Sequence, residues 1–569
     1  MFGIIGEYHN DLFDAKGEMN MNSKLIQIKK FEKEPIQEID SAYFNNYPIV
    51  YILYNDTKRP AAYIGQTVHL QRRMKQHLSD TKRKSLKTAL FIGNEKFNQS
   101  ATYNVETNLI NFFIAEKRYK LQNVSQTLDN KIHDYYNKEY YDQTFFDSIW
   151  DELREQNIVR ETLDDLRNKD VFKLSPYKEL SAEQMDLKHH IIDYCKRHID
   201  DDKHSIFFIE GDAGTGKSVV LSSTFNTIQD LSQDKASKLY DTENYLLVNH
   251  QEMLKTYKEI SETLPNLKKK NFMKPTSFIN RKTRPEKAVA DIVFVDEAHL
   301  LLSKKDSYNN FNQDNHLEEI IKQSKITIVV YDRKQVLKFK SYWDDNLINH
   351  VKRGIHSEVL MLTNQFRIRA EEEILNWMDA FTNKKVLPLP KSVTNARKDS
   401  FELEIFSDAG EMYKKIQQKN KKYGLSRLVS TFDYLHKKDK KDYFIEEPNF
   451  KLPWNRTDYK TTWAEVDETI NEVGSIYTIQ GFDLNYVGII LGPSVSYNFE
   501  KDELEIITTN YKDSEAFKAR EDIPADRVEE VKTQIILNSI NVLMKRGIHG
   551  LYIYASDSKL RLKLESLTN

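Results

Sequence analysis

Residues 211–218 read GDAGTGKS, a glycine-rich run that follows the apolar stretch 205–210 and opens into a helix-compatible segment. The glycines allow successive backbone N–H groups to turn inward around phosphate oxygens. The lysine of this pattern reaches the terminal phosphates, and the hydroxyl after it holds Mg²⁺. The run therefore predicts a site for ATP and Mg²⁺. Its predicted nucleotide-binding residues are Gly211, Gly214, Thr215, Gly216, Lys217 and Ser218, of which Ser218 is also a metal ligand.

A pair of carboxylates follows this phosphate loop in the chain. Residues 292–295 form an apolar, β-branched stretch that ends in Asp296 and Glu297. Because ligands of open parallel sheets bind at the carboxyl ends of strands, we expect both side chains beside the phosphates. Asp296 would hold the metal, and Glu297 would orient and deprotonate the attacking water. The two motifs together predict hydrolysis of ATP.

Further residues are placed to sense or stabilise the nucleotide. Gln335, in VYDRKQ, follows another strand end and is a candidate sensor of the γ-phosphate. Arg367, in NQFR, and Arg546, in MKRG, are candidates to reach across from a second lobe and stabilise transition-state charge. Gln480 and Gly481, in TIQG, are candidates to couple a nucleic-acid strand to the nucleotide. Each arginine by itself is more typical of a surface ion pair, so the prediction rests on the order of the motifs.

A second set of chemically capable residues lies near the N-terminus, on a predicted hairpin. The stretches 49–53 and 62–67 read as two strands joined by the polar turn NDTKRP. This hairpin brings Tyr51 and Tyr63 close to each other. A packed aromatic β surface is the alternative interpretation of the same pattern.

A helix is expected directly after the hairpin, with Arg73 and His77 four residues apart on one face. Glu106 is expected to begin a later helix. A phenol or imidazole that activates water, a guanidinium that holds phosphate and a carboxylate that binds one divalent ion together suffice for phosphodiester hydrolysis. The alternative is an amphipathic helix whose Arg73 and His77 face solvent.

The charge distribution adds a local signal to this N-terminal set. The whole chain is nearly neutral, with 84 Lys+Arg against 86 Asp+Glu, so any nucleic-acid surface has to be local. Residues 58–87 contain nine Lys/Arg and a single acidic residue, Asp80. Such a basic patch predicts contact with a phosphate backbone, and a solvated helix face is the alternative.

Composition limits the class of protein. A length of 569 residues suits three or four domains, and 39% hydrophobic residues are enough to build real cores. A single cysteine, Cys195, excludes internal disulfides and a cysteine-built zinc site, which indicates a reducing compartment. The chain has no apolar run of membrane-spanning length. We therefore expect a soluble, cytoplasmic protein with no membrane partner.

Short β-branched stretches alternate with helical patterns after residue 180, which predicts parallel sheets of the α/β class. The predicted strands lie at 205–210, 245–248, 292–295, 326–330, 358–362, 426–430, 487–491 and 550–554. The predicted segments are an N-terminal extension (1–46), a small α+β domain (47–125), a helical connector (126–180), a first ATPase lobe (181–354) and a second lobe (355–569).

The order of the motifs after residue 180 resembles that of superfamily 1 helicases, in which Gln184 of LSAEQ would recognise adenine. The stretches EVGSIYTIQGFDLNYVGIILG and NVLMKRGIHGLYIYA are similar to the Schlafen-type helicase-like ATPases known as the DUF2075 family, and the resemblance covers about residues 180–554. It implies two RecA-like lobes that hydrolyse ATP in their cleft. The residues that take the family's roles are Lys217, Ser218, Asp296, Glu297, Gln335, Arg367, Gln480 and Arg546.

The region 47–123 is similar to the GIY-YIG nuclease domain, although its first motif reads Ile-Val-Tyr and lacks the glycine. The resemblance implies endonuclease activity with Mg²⁺ or Mn²⁺. Its implied roles are motif tyrosines for Tyr51 and Tyr63, phosphate binding for Arg73, help in proton transfer for His77, metal binding for Glu106 and closure of the domain for Asn123.

These resemblances predict an ATP-powered nuclease-helicase whose partner is nucleic acid, DNA in preference to RNA, in defence against foreign DNA or in DNA processing. Two alternatives stay open. One is a nucleotide-dependent switch in which the N-terminal domain is a degenerate binding module. The other is an RNA-directed nuclease-ATPase.

Overall fold

The computed structural model describes residues 25–37, 39, 44, 46–123, 134–212, 214–281, 289–306, 310–343, 345–364, 368–394, 400–437, 439, 441–457, 459, 463–479, 482–518 and 523–568. The chain divides into two units. The first unit comprises Met1–Ile192, Ser222–Asp241 and Lys255–Asn271, and the second comprises Asp193–Leu221, Thr242–Leu254 and Phe272–Asn569.

The first unit contains a five-stranded sheet, which is antiparallel except for one parallel pair at its edge. Its strands are β1 (Leu25–Lys30), β2 (Ile49–Tyr54), β3 (Ala61–Thr67), β4 (Thr88–Gly93) and β5 (Lys120–Leu121). They are ordered β1-β4-β2-β3-β5. The predicted hairpin is therefore present as β2 and β3, and β2 pairs regularly on both sides although its motif lacks a glycine. β1 lies within the predicted N-terminal extension but belongs to this sheet.

The helices of the first unit before residue 180 are α1 (Lys33–Gln37), α2 (Leu70–Ser79), α3 (Gln99–Glu116), α4 (Lys138–Tyr140), α5 (Phe146–Glu155), α6 (Leu163–Asn168) and α7 (Asp170–Lys173). Helix α3 begins after Asn98, whose side chain accepts a hydrogen bond from the backbone N–H of Ala101. Glu106 therefore lies inside α3 and does not begin it. The prediction that Glu106 begins this helix was wrong. It was wrong because the capping asparagine, which ends the loop, lies eight residues earlier.

A six-stranded sheet forms the first lobe of the second unit, and its neighbouring strands are all parallel. Its strands are β6 (Ser205–Gly211), β7 (Asn244–Val248), β8 (Phe272–Met273), β9 (Ala290–Asp296), β10 (Ser324–Tyr331) and β11 (His356–Leu362). They are ordered β11-β6-β10-β9-β7-β8. The strand at 358–362 was predicted in the second lobe, whereas β11 pairs with β6 of the first.

A second parallel sheet and two antiparallel hairpins complete the second unit. The remaining strands are β12 (Glu402–Phe406), β13 (Ser426–Ser430), β14 (Phe444–Glu447), β15 (Phe450–Pro453), β16 (Val473–Gly474), β17 (Leu484–Leu491), β18 (Val495–Asn498), β19 (Glu503–Ile506) and β20 (Gly547–Ala555). The sheet is ordered β12-β20-β17-β13-β16, and the hairpins are β14-β15 and β18-β19. Two parallel-sheet lobes after a small α+β region confirm the predicted fold class.

Helices precede, connect and follow the parallel strands, because parallel pairing requires crossover connections. They are α8 (Ala182–His198), α9 (Lys217–Leu231), α10 (Gln251–Thr263), α11 (Pro275–Ile279), α12 (His316–Lys322), α13 (Asp345–Lys352), α14 (Glu372–Thr382), α15 (Lys391–Thr394), α16 (Ala409–Tyr423), α17 (Ile476–Ile479), α18 (Val528–Met544) and α19 (Ser558–Glu565). Within the part of the chain that the structure describes, none of the helices is long and apolar enough to cross a membrane.

Gly65 is fixed by the packing of the β2–β3 hairpin. It pairs with Tyr51, and a Cβ on Gly65 would lie 2.4 Å from the hydroxyl oxygen of Tyr51 and 2.5 Å from its Cζ. Tyr51 is fully buried, so its ring has little room to move away. The motif glycine is therefore required by this close approach of a buried ring.

We expect Gly65→Ala to destabilise the hairpin by about 1–3 kcal/mol, the usual cost of overpacking a core. Hydrogen exchange of the β2 and β3 amide groups measures this local stability. In a Tyr51→Ala background the added methyl group has space, so the cost of Gly65→Ala should fall close to zero. An equal cost in both backgrounds would contradict the steric explanation.

Candidate active sites

The order of strands in the first parallel sheet brings the predicted ATPase residues to one edge. β10 lies between β6 and β9, and the three strands are parallel. The phosphate loop follows β6, Asp296 ends β9, and Asp332 follows β10 directly. All three therefore lie at the carboxyl edge of the sheet, where open α/β folds bind their ligands.

The phosphate loop has the backbone geometry that its glycines predict. Gly214 and Gly216 have φ angles of +89° and +80°, in the left-handed region that glycine adopts without a steric penalty. A Cβ on Gly211 would come within 2.7 Å of a carbonyl oxygen of β11. The Thr215 hydroxyl donates a hydrogen bond to the Asp212 carbonyl oxygen at 3.0 Å, which closes the turn. Replacing any of these glycines with a larger residue would therefore disturb the backbone of the loop.

Lys217 lies at the centre of the predicted nucleotide site. Its Nζ donates to the carbonyl oxygens of Gly211 and Asp212 at 2.6 and 2.8 Å, and it lies 3.4 Å from Oδ2 of Asp332. Gln335 Nε2 donates to the same Oδ2 at 2.7 Å. The structure thus brings Gln335 close to Lys217 through Asp332. Sequence reasoning missed Asp332, although it follows β10 much as Asp296 ends β9.

Ser218 and Asp296 form the predicted metal-binding pair. The Ser218 hydroxyl donates to Oδ1 of Asp296 at 3.1 Å, and the same oxygen accepts the backbone N–H of Glu297 at 3.0 Å. Asp296 is completely buried. A hydroxyl and a carboxylate side by side at a phosphate loop are the oxygen ligands that Mg²⁺ prefers. These two residues fit the predicted metal.

Glu297 is held in an unusual backbone conformation beside a histidine. Its φ angle is +50°, a region that non-glycine residues rarely occupy and that concentrates at functional sites. Its Oε2 lies 2.9 Å from Nε2 of His299. Burial alone would raise the pKa of Glu297, but His299, Lys217 and Arg546 lower it below its usual value. The carboxylate is therefore ionised at neutral pH, as a general base requires.

The other predicted ATPase residues are placed unevenly. Arg546 is buried, donates from Nη1 to the carbonyl oxygen of Phe482 at 3.2 Å, and lies close enough to lower the pKa of Glu297. Gln184 belongs to the first unit, where its Oε1 accepts the Ser181 N–H at 3.0 Å and caps α8. Its part in adenine recognition stays a prediction. Arg367, Gln480 and Gly481 lie outside the described residues.

The nuclease candidates meet at the hydroxyl of Tyr51. This oxygen lies 2.8 Å from Nε2 of His77, and Nε of Arg73 donates to it at 3.2 Å. Arg73 also donates from Nη2 to the Tyr63 hydroxyl at 3.3 Å. One guanidinium therefore binds both motif tyrosines, and α2 presents Arg73 and His77 on the same face as predicted.

The electrostatics of this cluster favour the neutral forms of Tyr51 and His77, which we refer to together as the relay. Burial, followed by the charges of Arg73 and Arg83, lowers the pKa of His77 to about 4. Burial raises the pKa of Tyr51, and Tyr63 and Glu106 raise it further. At neutral pH a neutral phenol therefore faces a neutral imidazole. In the tautomer of His77 that carries its proton on Nδ1, the Tyr51 hydroxyl donates to Nε2 while its oxygen accepts from Arg73.

Glu106 and Asn123 have different roles in the same region. Glu106 is 4% exposed and close enough for its charge to act on Tyr51. A carboxylate beside the relay fits one divalent ion. Asn123 accepts the Ile64 N–H at 3.1 Å and donates to the Ile64 carbonyl at 2.7 Å. It therefore holds the chain after β5 against β3, as a closing residue would.

Arg83 is a member of this cluster that sequence reasoning counted only as surface charge. Its guanidinium carbon lies 3.9 Å from the centroid of the Tyr63 ring, and Nη1 donates to Oε1 of Gln122 at 2.8 Å. Seven of the nine basic residues in 58–87 are exposed, namely Lys58, Arg59, Arg72, Lys75, Lys82, Lys84 and Lys87. The basic patch is thus accessible to a phosphate backbone.

We expect His77 to titrate near pH 4 in the folded chain, where the ordinary value is 6.5. The direction of this pH dependence follows from burial, which disfavours the charged form of His77 in the folded chain. Between about pH 6.5 and 4 the unfolded chain binds a proton that folded His77 does not, so its contribution to stability is lost as the pH falls through that window. Histidine-labelled NMR, with His77→Gln for assignment, measures the titration.

Arg83→Gln should raise the pKa of His77, because it removes one of the charges that oppose protonation. Arg72→Gln is the matched control and should leave the pKa of His77 unchanged, because Arg72 is exposed on α2, the helix that carries His77. Titration of His77 near 6.5 in the unchanged protein would contradict the buried relay.

Two regions of the chain match known protein families. Residues 204–557 match the Schlafen group 3, DNA/RNA helicase domain, and residues 47–129 match the GIY-YIG catalytic domain. Uncharacterized protein YPL245W of Saccharomyces cerevisiae is 41% identical over a match of 412 residues, and the match covers 68% of this chain and 90% of that protein.

The crystal structure of Pif1 helicase from Candida albicans covers 68% of this chain and 99% of its own, at 11% identity and a TM-score of 0.29, a likeness that carries no argument. The helicase-domain match spans well over half of the chain, and it agrees with the phosphate loop, the Asp296–Glu297 pair and the parallel sheets described above. The chain therefore belongs to the Schlafen group 3 DNA/RNA helicase family and carries a GIY-YIG domain ahead of its helicase domain.

Proposed function

We propose that this protein is an ATP-dependent nucleic-acid helicase or translocase that also carries a metal-dependent endonuclease. The observation that supports the proposal best is that each unit holds its own set of groups for phosphate chemistry. The second unit has Lys217 beside the Ser218–Asp296 pair. The first has Arg73 bound to both Tyr51 and Tyr63.

In the second unit, ATP hydrolysis would use the groups at the carboxyl edge of the sheet. Ser218 and Asp296 would hold Mg²⁺, which supplies charge neutralisation at the phosphates when bound. Glu297, ionised because of its charged neighbours, takes the proton of the attacking water. Lys217 and Arg546 offset the negative charge that develops on the transferred phosphoryl group.

In the first unit, phosphodiester cleavage would use the relay around Tyr51. Glu106 would hold Mg²⁺ or Mn²⁺, which supplies Lewis-acid stabilisation when bound. Arg73 holds the scissile phosphate. The attacking water gives its proton to the Tyr51 oxygen while the Tyr51 proton passes to Nε2 of His77, an atom already within 2.8 Å. The low pKa of His77 keeps that nitrogen free to accept.

The substrate that we propose is DNA, in defence against foreign DNA or in DNA processing, within the cytoplasm. The exposed basic residues of 58–87 support backbone binding, which does not by itself distinguish DNA from RNA. The matched family is described for both nucleic acids. Cleavage of matched DNA and RNA duplexes tests this choice, and a preference for RNA would favour an RNA-directed nuclease-ATPase.

A second candidate function has one observation in its favour. Tyr51 is fully buried and Glu106 is 4% exposed, which limits the access of a phosphodiester to the relay. This burial suits a nucleotide-dependent switch whose N-terminal domain binds nucleic acid without cutting it. ATP turnover that nucleic acid stimulates, without cleavage or strand displacement, would favour this candidate.

We expect Lys217→Ala to lower ATP turnover by roughly 10²–10³-fold, the usual effect of removing a group that stabilises transition-state charge. Release of inorganic phosphate measures the turnover. Lys322→Ala is the matched control, because Lys322 is an exposed lysine of α12 in the same unit. Full turnover by Lys217→Ala would contradict the proposal that the phosphate loop binds the ATP that is hydrolysed.

We expect Glu106→Gln to abolish cleavage of a plasmid in the presence of Mg²⁺ or Mn²⁺, because the amide loses the charge that holds the ion. Gel analysis of nicked and linear products measures the rate. Asp151→Asn, on the exposed face of α5, should cut as the unchanged protein does. Equal cleavage by Glu106→Gln would refute the assignment of the metal ligand.

A further inference from the structure

Four charged side chains form a cluster where the two lobes of the second unit meet. Nζ of Lys545 lies 2.7 Å from Oδ1 of Asp379 and 3.8 Å from Oδ2 of Asp212. Nζ of Lys334 lies 2.9 Å from Oδ2 of Asp212 and 3.6 Å from Oδ1 of Asp379. Each carboxylate therefore faces both ammonium groups. We refer to these four residues as the Asp–Lys cluster.

The members of the Asp–Lys cluster come from elements that matter to ATP. Asp212 is the second residue of the phosphate loop, and Lys334 lies next to Gln335 after β10. Asp379 lies on α14. Lys545 follows the last residue of α18 and immediately precedes Arg546. The cluster thus joins the phosphate loop to the residue beside the predicted transition-state arginine.

Lys545 differs from the other members in its burial. Its side chain is 3% exposed, whereas those of Asp212, Lys334 and Asp379 are 41%, 43% and 31% exposed. An exposed ion pair contributes little, because water and salt screen it. A buried ammonium loses its hydration and needs carboxylate partners to remain charged. Lys545 is therefore the member whose charge acts most strongly on its neighbours.

The position of Asp212 creates an electrostatic problem for ATP binding. Its carboxylate belongs to the loop that is predicted to surround a polyanion, and like charges at short range repel. Lys334 from the first lobe and Lys545 from the second lobe offset that negative charge. Only Lys545 makes the compensation depend on the second lobe.

We propose that Lys545 is a nucleotide-positioning residue, which neutralises Asp212 across the lobe boundary and so makes the affinity for ATP depend on the second lobe. The inference rests on the proposed binding of ATP at residues 211–218. Lys545 acts through Asp212 and does not touch the substrate. Its contact with Asp379 also fixes the start of the segment that carries Arg546.

The test measures binding of the ATP analogue AMP-PNP with Mg²⁺ to the full chain by isothermal titration. Lys545→Met should weaken binding about tenfold, since truncating one partner of a buried charge pair leaves the other uncompensated. Asp212→Asn in the same background should restore most of the affinity, because it removes the charge that Lys545 offsets. Lys545→Arg, which keeps the charge, should bind about as the unchanged protein does.

Lys532→Met is the matched control. Lys532 lies on the same helix, α18, and pairs with Glu529 at 2.6 Å, away from the Asp–Lys cluster. It should leave binding unchanged. If Lys545→Met does not fold, Asp212→Asn alone decides: it should bind the analogue more tightly, because it removes a negative charge from the phosphate loop, and unchanged or weaker binding would overturn the inference.

The outcomes separate this inference from the proposed function. Unchanged binding by Lys545→Met overturns the inference alone. So does a loss that Asp212→Asn fails to reverse, because a purely structural role predicts the same loss in both backgrounds. A folded, unchanged protein that does not bind the analogue refutes the proposed ATP site itself, and the inference with it.

Discussion

The parallel pairing of β6, β10 and β9 is the constraint on which the proposed ATP site depends. Parallel neighbours end at the same edge, so three separate stretches of chain deliver Lys217, Asp296 and Asp332 to one place. The left-handed glycines of the phosphate loop then give the backbone the turn that phosphate-binding loops require. Burial of Asp296 and the 2.9 Å contact of Glu297 with His299 hold both carboxylates in place before any substrate arrives. Such preorganisation is what electrostatic catalysis requires.

The two units solve related chemical problems with opposite electrostatics. The proposed ATP site keeps an ionised carboxylate, because His299, Lys217 and Arg546 hold the pKa of Glu297 low against the effect of burial. The proposed nuclease site keeps Tyr51 and His77 neutral, because burial opposes both charged forms, Tyr63 and Glu106 further oppose the phenolate of Tyr51, and Arg73 and Arg83 further oppose the imidazolium of His77. The first arrangement suits removal of a proton by an anion, and the second suits transfer of a proton along a chain of neutral groups.

The sequence predicted those parts of the sites that local spacing determines. The phosphate loop, the Asp296–Glu297 strand end and the pair Arg73–His77 each depend on residues within one element, so a short pattern contains all of the information. Their elements were predicted for the same reason, with the position of Glu106 inside α3 as the exception. The domain boundaries stay predictions, apart from the assignment of β11 described above.

Long-range contacts could not be predicted in this way. A β-branched stretch shows that a strand exists but not which sheet it joins, so the pairing of β11 with β6 had no local signal. The contact of Arg83 with the Tyr63 ring also had no local signal. Neither did the contact of Lys545 with Asp212, two residues that are 333 positions apart (545 − 212). Arg83 and Lys545 are charged residues that composition alone assigns to the surface, whereas packing places both in buried positions.

The proposed function implies that ATP hydrolysis delivers nucleic acid to the nuclease of the same chain. The rate at which the full chain cuts a labelled linear duplex, measured with ATP, with AMP-PNP and without nucleotide, tests it most directly. The account predicts that ATP accelerates cutting and that AMP-PNP does not, because delivery requires turnover and not occupancy alone. Equal rates in all three conditions would contradict it.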